Sequence, residues 1–271
     1  MYRQFFSLKE KPFNITSDPS FLYLSRVHKE AFAHLTYGIK ERKGFLEITG
    51  EVGAGKTTLC RALLNHLDIN TKSAFIFNST LPETQLFQTI LEDFGVCVEK
   101  KTKASILRQF NNFLLEEFSK NNNVVLIIDE AQNLKISVLE ELRILSNLET
   151  EKEKLFQMIL VGQPELKEKL NAPNLKQLRQ RIGVRFHITS LPVDEVGAYI
   201  YHRLKVAGSK GDINFADDAL DVICKYSGGI PRLINTVCDK ALLSAYVAET
   251  RHIDAVIIEK CIREIEGTVL V

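Results

Sequence analysis

Short apolar runs, often β-branched, alternate along this chain with longer segments in which apolar positions recur every three or four residues. The runs fall at 45–49, 73–78, 124–129, 156–162 and 184–189 and predict strands, and the segments between them predict amphipathic helices. In "ASILRQFNNFLLEEF" the residues Ile106, Leu107, Phe110, Leu114, Leu115 and Phe118 share one helical face. Strand alternating with helix implies a parallel sheet covered on both sides, with a ligand at the carboxyl ends of its strands. After Pro192 no further strand is predicted. "VDEVGAYIYHRLKVAG", "FADDALDVICKYSGG", "PRLINTVCDKALLSAYVAET" and "IDAVIIEKCIREIEG" are helical patterns punctuated by Gly and Pro. The expectation is an α/β domain over 1–192, with a five-stranded parallel sheet sandwiched by helices and 1–44 as linker and first helix. A small all-helical domain is expected over 193–271.

Composition narrows the partners more than the fold. With 271 residues, 45% of them hydrophobic, the chain can bury a substantial core. A net charge of +1 argues against wholesale electrostatic binding to nucleic acid or membrane, although a local basic face is compatible with it. The five cysteines, Cys60, Cys97, Cys224, Cys238 and Cys261, have no C-x-x-C spacing and are expected to be core thiols in a reducing compartment. No apolar run approaches the roughly 20 residues of a membrane helix, and "MYRQFFSLKEKPF" lacks the apolar core of a signal peptide. The expected location is the cytoplasm, or its membrane periphery through partners.

Two stretches carry chemistry. In "ITGEVGAGKTTL" the spacing Gly50, four residues, Gly55, Lys56, Thr57 is a P-loop pattern, set between a strand and a helix as that motif requires. Residues Gly50, Glu51, Val52, Gly53, Ala54, Gly55, Lys56, Thr57 and Thr58 are expected to cradle the phosphates of ATP, with Lys56 on the β and γ phosphates and the Thr57 hydroxyl on Mg2+. In "NNNVVLIIDEAQNL" a continuous apolar run ends in Asp129 and Glu130. This is a Walker B arrangement, in which Asp129 holds Mg2+ and Glu130 activates the water that attacks the γ-phosphate.

These motifs, with "SGGIPRLIN" and the strands-then-helices layout, resemble an AAA+ ATPase. More narrowly, "FNITSDPSFLYLSRVHKEAFAHLTYGI", "LSNLETEKEKLFQMILVGQPEL" and "LRQRI" are similar to the general secretion pathway protein A family over nearly the entire chain. The resemblance implies that Gln163 is the sensor 1 residue, that Arg232 is sensor 2, and that an arginine finger for a neighbouring subunit lies among Arg179, Arg181 and Arg185, with Arg181 chosen. It also implies that the segment near Phe21 to Leu24, with His28, lies over the adenine. Self-assembly into a ring or filament is expected. The implied partners are components of type II secretion, pilus assembly or exopolysaccharide export. Secretion members commonly continue into a membrane helix and a periplasmic region that this sequence does not contain, so it is either a fragment or a short family member. Two other functions remain open at this stage, a DNA-associated ATPase of the transposition kind and a nucleotide-switched scaffold that scarcely hydrolyses.

Overall fold

The five apolar runs become the five strands of one parallel sheet. In a computed structural model, which describes residues 1–77, 79–99, 101–147 and 154–267, these are β1 (Phe45–Gly50), β2 (Thr71–Ile76), β3 (Asn123–Ile128), β4 (Gln157–Gly162) and β5 (Ile182–Ile188). The order across the sheet is β2-β3-β4-β1-β5, and every pairing is parallel. Strands β1 and β4 are buried throughout and β3 nearly so, whereas β2 and β5 at the edges are partly exposed. That is why these central strands are largely apolar, with Val124–Ile128 of β3 an unbroken apolar run. β2 begins two residues before the expected run, whose last residue, Asn78, lies outside the described residues. The segment 148–153 of the family-like run "LSNLETEKEKLFQMILVGQPEL" lies outside them too.

The chain packs as two compact units. One comprises 30–50 and 59–188 and contains the sheet. It includes α2 (Arg26–Lys40) from residue 30, α3 (Lys56–Leu64) from residue 59, α4 (Glu83–Asp93), α5 (Lys103–Ser119), α6 (Ile136–Leu145), α7 (Pro164–Leu170) and α8 (Lys176–Arg181). Its main core joins Leu126, Ile128, Met158 and Leu160 of the sheet to Phe87 and Ile90 of α4, Ile106 and Phe110 of α5 and Leu139 and Leu142 of α6. The inner face of α5 runs through Ile106, Phe110, Phe113, Leu114 and Glu117, while Leu115, assigned to that face from the sequence, is 51% exposed. The apolar residues of this segment are too many for a single stripe, and Leu115 is the one left in solvent. One charged residue lies inside the sheet: Glu47 of β1 is buried, opposite Arg185 in the β1–β5 register, with an ion pair of 3.3 Å from Arg185 Nε. Burial raises the Glu47 carboxyl above its usual range, against the pull of Arg185 and Lys167.

The other unit comprises 1–29, 51–58 and the chain from 189 onward. Its elements are α1 (Tyr2–Phe5), α9 (Val193–Val206), α10 (Asp217–Ser227), α11 (Pro231–Val247) and α12 (Ala255–Ile265). Phe6, Phe13 and Phe21 enter the same core as Ile200, Ile223, Val237, Leu242 and Cys261. The buried Arg203 fastens this N-terminal segment to α9: it donates to the carbonyls of Pro12 (2.5 Å) and Asn14 (3.0 Å) and lies over the Phe21 ring at 4.7 Å. The expectation that strands stop after Pro192 is corrected by a two-stranded parallel bridge, β6 (Asn214–Phe215) with β7 (His252–Ile253). Two residues are too few for any periodicity to register. The cysteine expectation also needs amending, because Cys60, Cys238 and Cys261 are buried but Cys97 is exposed. Among the described residues no helix is long and apolar enough to cross a membrane.

Candidate functional site

The chain leaves β1 at Gly50, turns through 51–55 and enters α3 at Lys56, so the P-loop pattern has the strand–loop–helix setting it requires. The turn closes on Glu51, whose carbonyl accepts from Ala54 N–H (3.1 Å) and from Lys56 Nζ (2.9 Å). Thr57 and Thr58 follow in the first turn of α3, where backbone N–H groups lack intrahelical partners and the helix dipole favours an anion. Two neighbours hold the loop in shape. At Gly53, with φ of 82°, an added Cβ would lie 2.4 Å from Arg232 Cβ, and the Gly53 carbonyl accepts from Arg232 N–H at 3.2 Å. The Ala54 carbonyl accepts from His28 Nε2 at 2.9 Å, and His28 Nδ1 meets the Ser25 hydroxyl at 2.6 Å. A carbonyl can only accept, so the proton sits on Nε2, and the neutral ring takes its second bond from Ser25 O–H. Burial lowers the His28 pKa and outweighs the opposing influence of the Ala54 bond and Glu195. At Gly55 an added Cβ would stand 3.0 Å from His28 Nε2. A glycine-lined turn, a lysine and a helix N-terminus together suit a polyphosphate.

A second group of polar side chains lies at the carboxyl edge of the sheet, after the adjacent strands β3 and β4. Asp129 is buried; its N–H donates to Ile76 O and its Oδ1 accepts Glu130 N–H, both at 2.9 Å. Glu130 has left-handed backbone angles, φ 51° and ψ 38°, and its carbonyl accepts from Ser79 Oγ at 2.8 Å. A non-glycine residue in that region costs about 1–3 kcal/mol and persists only where its surroundings impose it. The Glu130 carboxylate receives Gln163 Nε2 at 3.0 Å and Gln132 Nε2 at 2.5 Å, both on Oε2. Gln163 N–H in turn donates to Gln132 Oε1 at 3.2 Å.

The structure therefore brings Glu130 and Gln163 into direct contact. The arginines singled out from the sequence are spread more widely. Arg232 is exposed, second in α11, where the helix dipole disfavours a cation. Arg181 ends α8 with Nη1 3.2 Å from Ser146 Oγ. Arg179 reaches Asn171 Oδ1 at 3.4 Å, and Arg185 is taken up by Glu47 and by the Arg179 carbonyl at 2.6 Å. Gln132 is the residue that sequence reasoning passed over. It stood within "DEAQNL", but its tie to Glu130 depends on the left-handed turn at Glu130 and the 3-10 turn Ala131–Asn133 that follows.

Comparison with known proteins agrees with this geometry. Residues 39–170 match the family model described as an AAA domain. General secretion pathway protein A of Aeromonas hydrophila is 44% identical over 254 residues, a match covering 93% of this chain. The chain spans only 46% of that relative's length. Among solved structures, the ORC2 protein of Aeropyrum pernix in ADPNP-ADP complexes superposes with a TM-score of 0.71 at 18% identity, covering 94% of this chain and 72% of that one. The RuvB Holliday junction branch migration motor of Thermotoga maritima gives a TM-score of 0.58 at 19% identity, over 88% and 68% of the two chains. At such identities the structures speak for the fold alone. P-loop, paired carboxylates, sheet order and sequence kinship agree: residues 39–170 form an AAA domain, and the chain is related to general secretion pathway protein A.

Proposed function

We propose that this chain binds ATP with Mg2+ and hydrolyses it, and that the cycle helps assemble or energise a bacterial envelope export system. The observation that carries the hydrolytic part is the Glu130 carboxylate, held on one oxygen by two amide donors at the edge of the sheet. A base that must take a proton from water needs a fixed orientation, and the second oxygen, Oε1, is the one left to face that water. Lys56 and the N–H groups of the loop would neutralise the phosphates. Thr57 and Asp129 would hold Mg2+, which supplies charge neutralisation at the β and γ oxygens. Among the described residues no three His, Cys, Asp or Glu side chains converge as a metal site, so the ion would depend on one hydroxyl, one carboxylate and the nucleotide itself.

In this proposal residues 1–192 carry the nucleotide chemistry, and the helical region from 193 contributes Arg232 to it. Gln163 would sense the γ-phosphate, and Arg181 would complete the site of a neighbouring copy in a ring or filament. Kinship with general secretion pathway protein A supports the export role, in the cytoplasm and near the membrane through partners. The test is Glu130→Gln, which preserves side-chain shape and removes the base. ATP affinity should stay within about threefold of wild type while turnover falls by about 100-fold or more. Unchanged turnover would remove Glu130 as the base and, with it, the hydrolytic part of the proposal.

A further inference from the structure

We infer that Gln132 is a positioning residue for hydrolysis, one that fixes which oxygen of Glu130 acts as the base and links that carboxylate to Gln163. The inference rests on the hydrolytic role just proposed and goes beyond it in assigning a function to a side chain outside the P-loop, Walker B and sensor positions.

The geometry admits one orientation of the Gln132 amide. Its nitrogen faces the Glu130 carboxylate, which only accepts, and its oxygen faces the Gln163 N–H, which only donates. Turning the amide over would break both bonds, so the side chain is locked by its partners. Its backbone is locked as well, because Lys169 Nζ donates to the carbonyls of Gln132 and, at 2.9 Å, of Leu134. Lys169 lies on α7, whose N-cap is Gln163, so the turn carrying Gln132 and the helix carrying Gln163 are joined at both ends. A Cβ at Gly162 would stand 2.7 Å from Gln132 Oε1, so the bare backbone there is what admits the amide.

Both donors to Glu130 converge on Oε2. Gln163 has a second task in the proposed cycle, contact with the γ-phosphate, and turning toward it would release its bond to Glu130. Gln132 has no such competing task. It would keep the carboxylate oriented while Gln163 moves, and through Oε1 it would register the movement of the Gln163 backbone.

The experiment is a double-mutant cycle combining Glu130→Gln with two changes at Gln132, read by single-turnover ATP hydrolysis and by affinity for a fluorescent ATP analogue. Gln132→Leu keeps the volume and removes both bonds. Gln132→Glu keeps an acceptor for Gln163 N–H and sets a second carboxylate against Glu130 in place of the donor. Each should slow turnover by about 10- to 100-fold, the range for a lost hydrogen bond to a charged group, with analogue affinity within about threefold of wild type. In the Glu130→Gln background neither should slow turnover by more than about threefold, because a residue that acts through Glu130 has nothing left to orient. Slowing that multiplies with Glu130→Gln, or affinity that falls as much as turnover, would overturn the assignment and leave Gln132 a general structural support. Unchanged turnover in Glu130→Gln alone would overturn the hydrolytic proposal and this role together.

Discussion

Gly53→Ala tests how tightly the P-loop is packed against α11. Gly53 holds φ of 82°, and a new Cβ would stand 2.4 Å from Arg232 Cβ, an atom attached to backbone that cannot swing aside. The left-handed conformation alone costs alanine about 1–2 kcal/mol. Forcing a methyl group into a filled contact adds about 1–3 kcal/mol, giving a loss of about 2–5 kcal/mol. Gly211 supplies the control: it belongs to the same packing unit and has φ of 85°, but an added Cβ there meets nothing within 4 Å. Gly211→Ala should therefore cost only the backbone part, about 1–2 kcal/mol. The assay is urea denaturation followed by circular dichroism, with hydrogen exchange of the α11 amides as a local readout. Gly53→Ala should lower the midpoint further than Gly211→Ala and accelerate exchange at the start of α11. Equal losses in the two variants, within about 0.5 kcal/mol, would refute the argument that Arg232 packs directly on the loop.

Three other outcomes are expected. Lys56→Ala removes a charged donor from the proposed phosphate cradle and should weaken ATP binding by about 10-fold or more, measured by titration calorimetry. Because burial lowers the His28 pKa from its usual 6.5, the unfolded chain takes up a proton below that pH before the folded chain does; the stability from the neutral ring is complete above about pH 6.5 and declines as pH falls, and His28→Gln should flatten this acid limb in urea melts at several pH values, leaving the part due to the similarly shifted His202. If Arg181 completes a neighbour's site, specific ATPase activity should rise with protein concentration, and mixing Arg181→Ala with Lys56→Ala should restore part of the activity that each lacks; concentration-independent activity with no rescue would exclude Arg181, whose finger role is worth roughly 10³ to 10⁵ in rate.

What the sequence disclosed, and what it hid, follows from the range of the forces involved. β1, β3 and β4 are legible because strands buried on both faces are built mostly from apolar residues, and the P-loop pattern is legible because its fixed spacing falls between a strand and a helix. Leu115 was placed on the wrong side of α5 because which of several apolar residues faces inward is decided by the neighbouring elements. His28 shows the same limit, since a buried histidine can serve a ligand or a carbonyl and only the fold reveals the Ala54 and Ser25 bonds. Gln132 escaped for a geometric reason. Side chains two residues apart do not meet in a regular helix, and here they do because Glu130 is left-handed.

The ion pair between buried Glu47 and half-exposed Arg185 bears on how the sheet assembles. β5 is an edge strand, and its pairing with β1 already shifts between Phe45 and Leu46, so local hydrogen bonding alone would tolerate a slip there. A slip by one residue would turn Arg185 to the opposite face and abandon a carboxyl group that is only 4% exposed. A carboxyl left alone in that interior must either take up a proton or draw in water, and each is costly. The pair would therefore penalise misregistered forms more than it strengthens the native one. Replacing both residues with apolar side chains would leave a sheet of similar stability but with less certainty about where its last strand comes to rest.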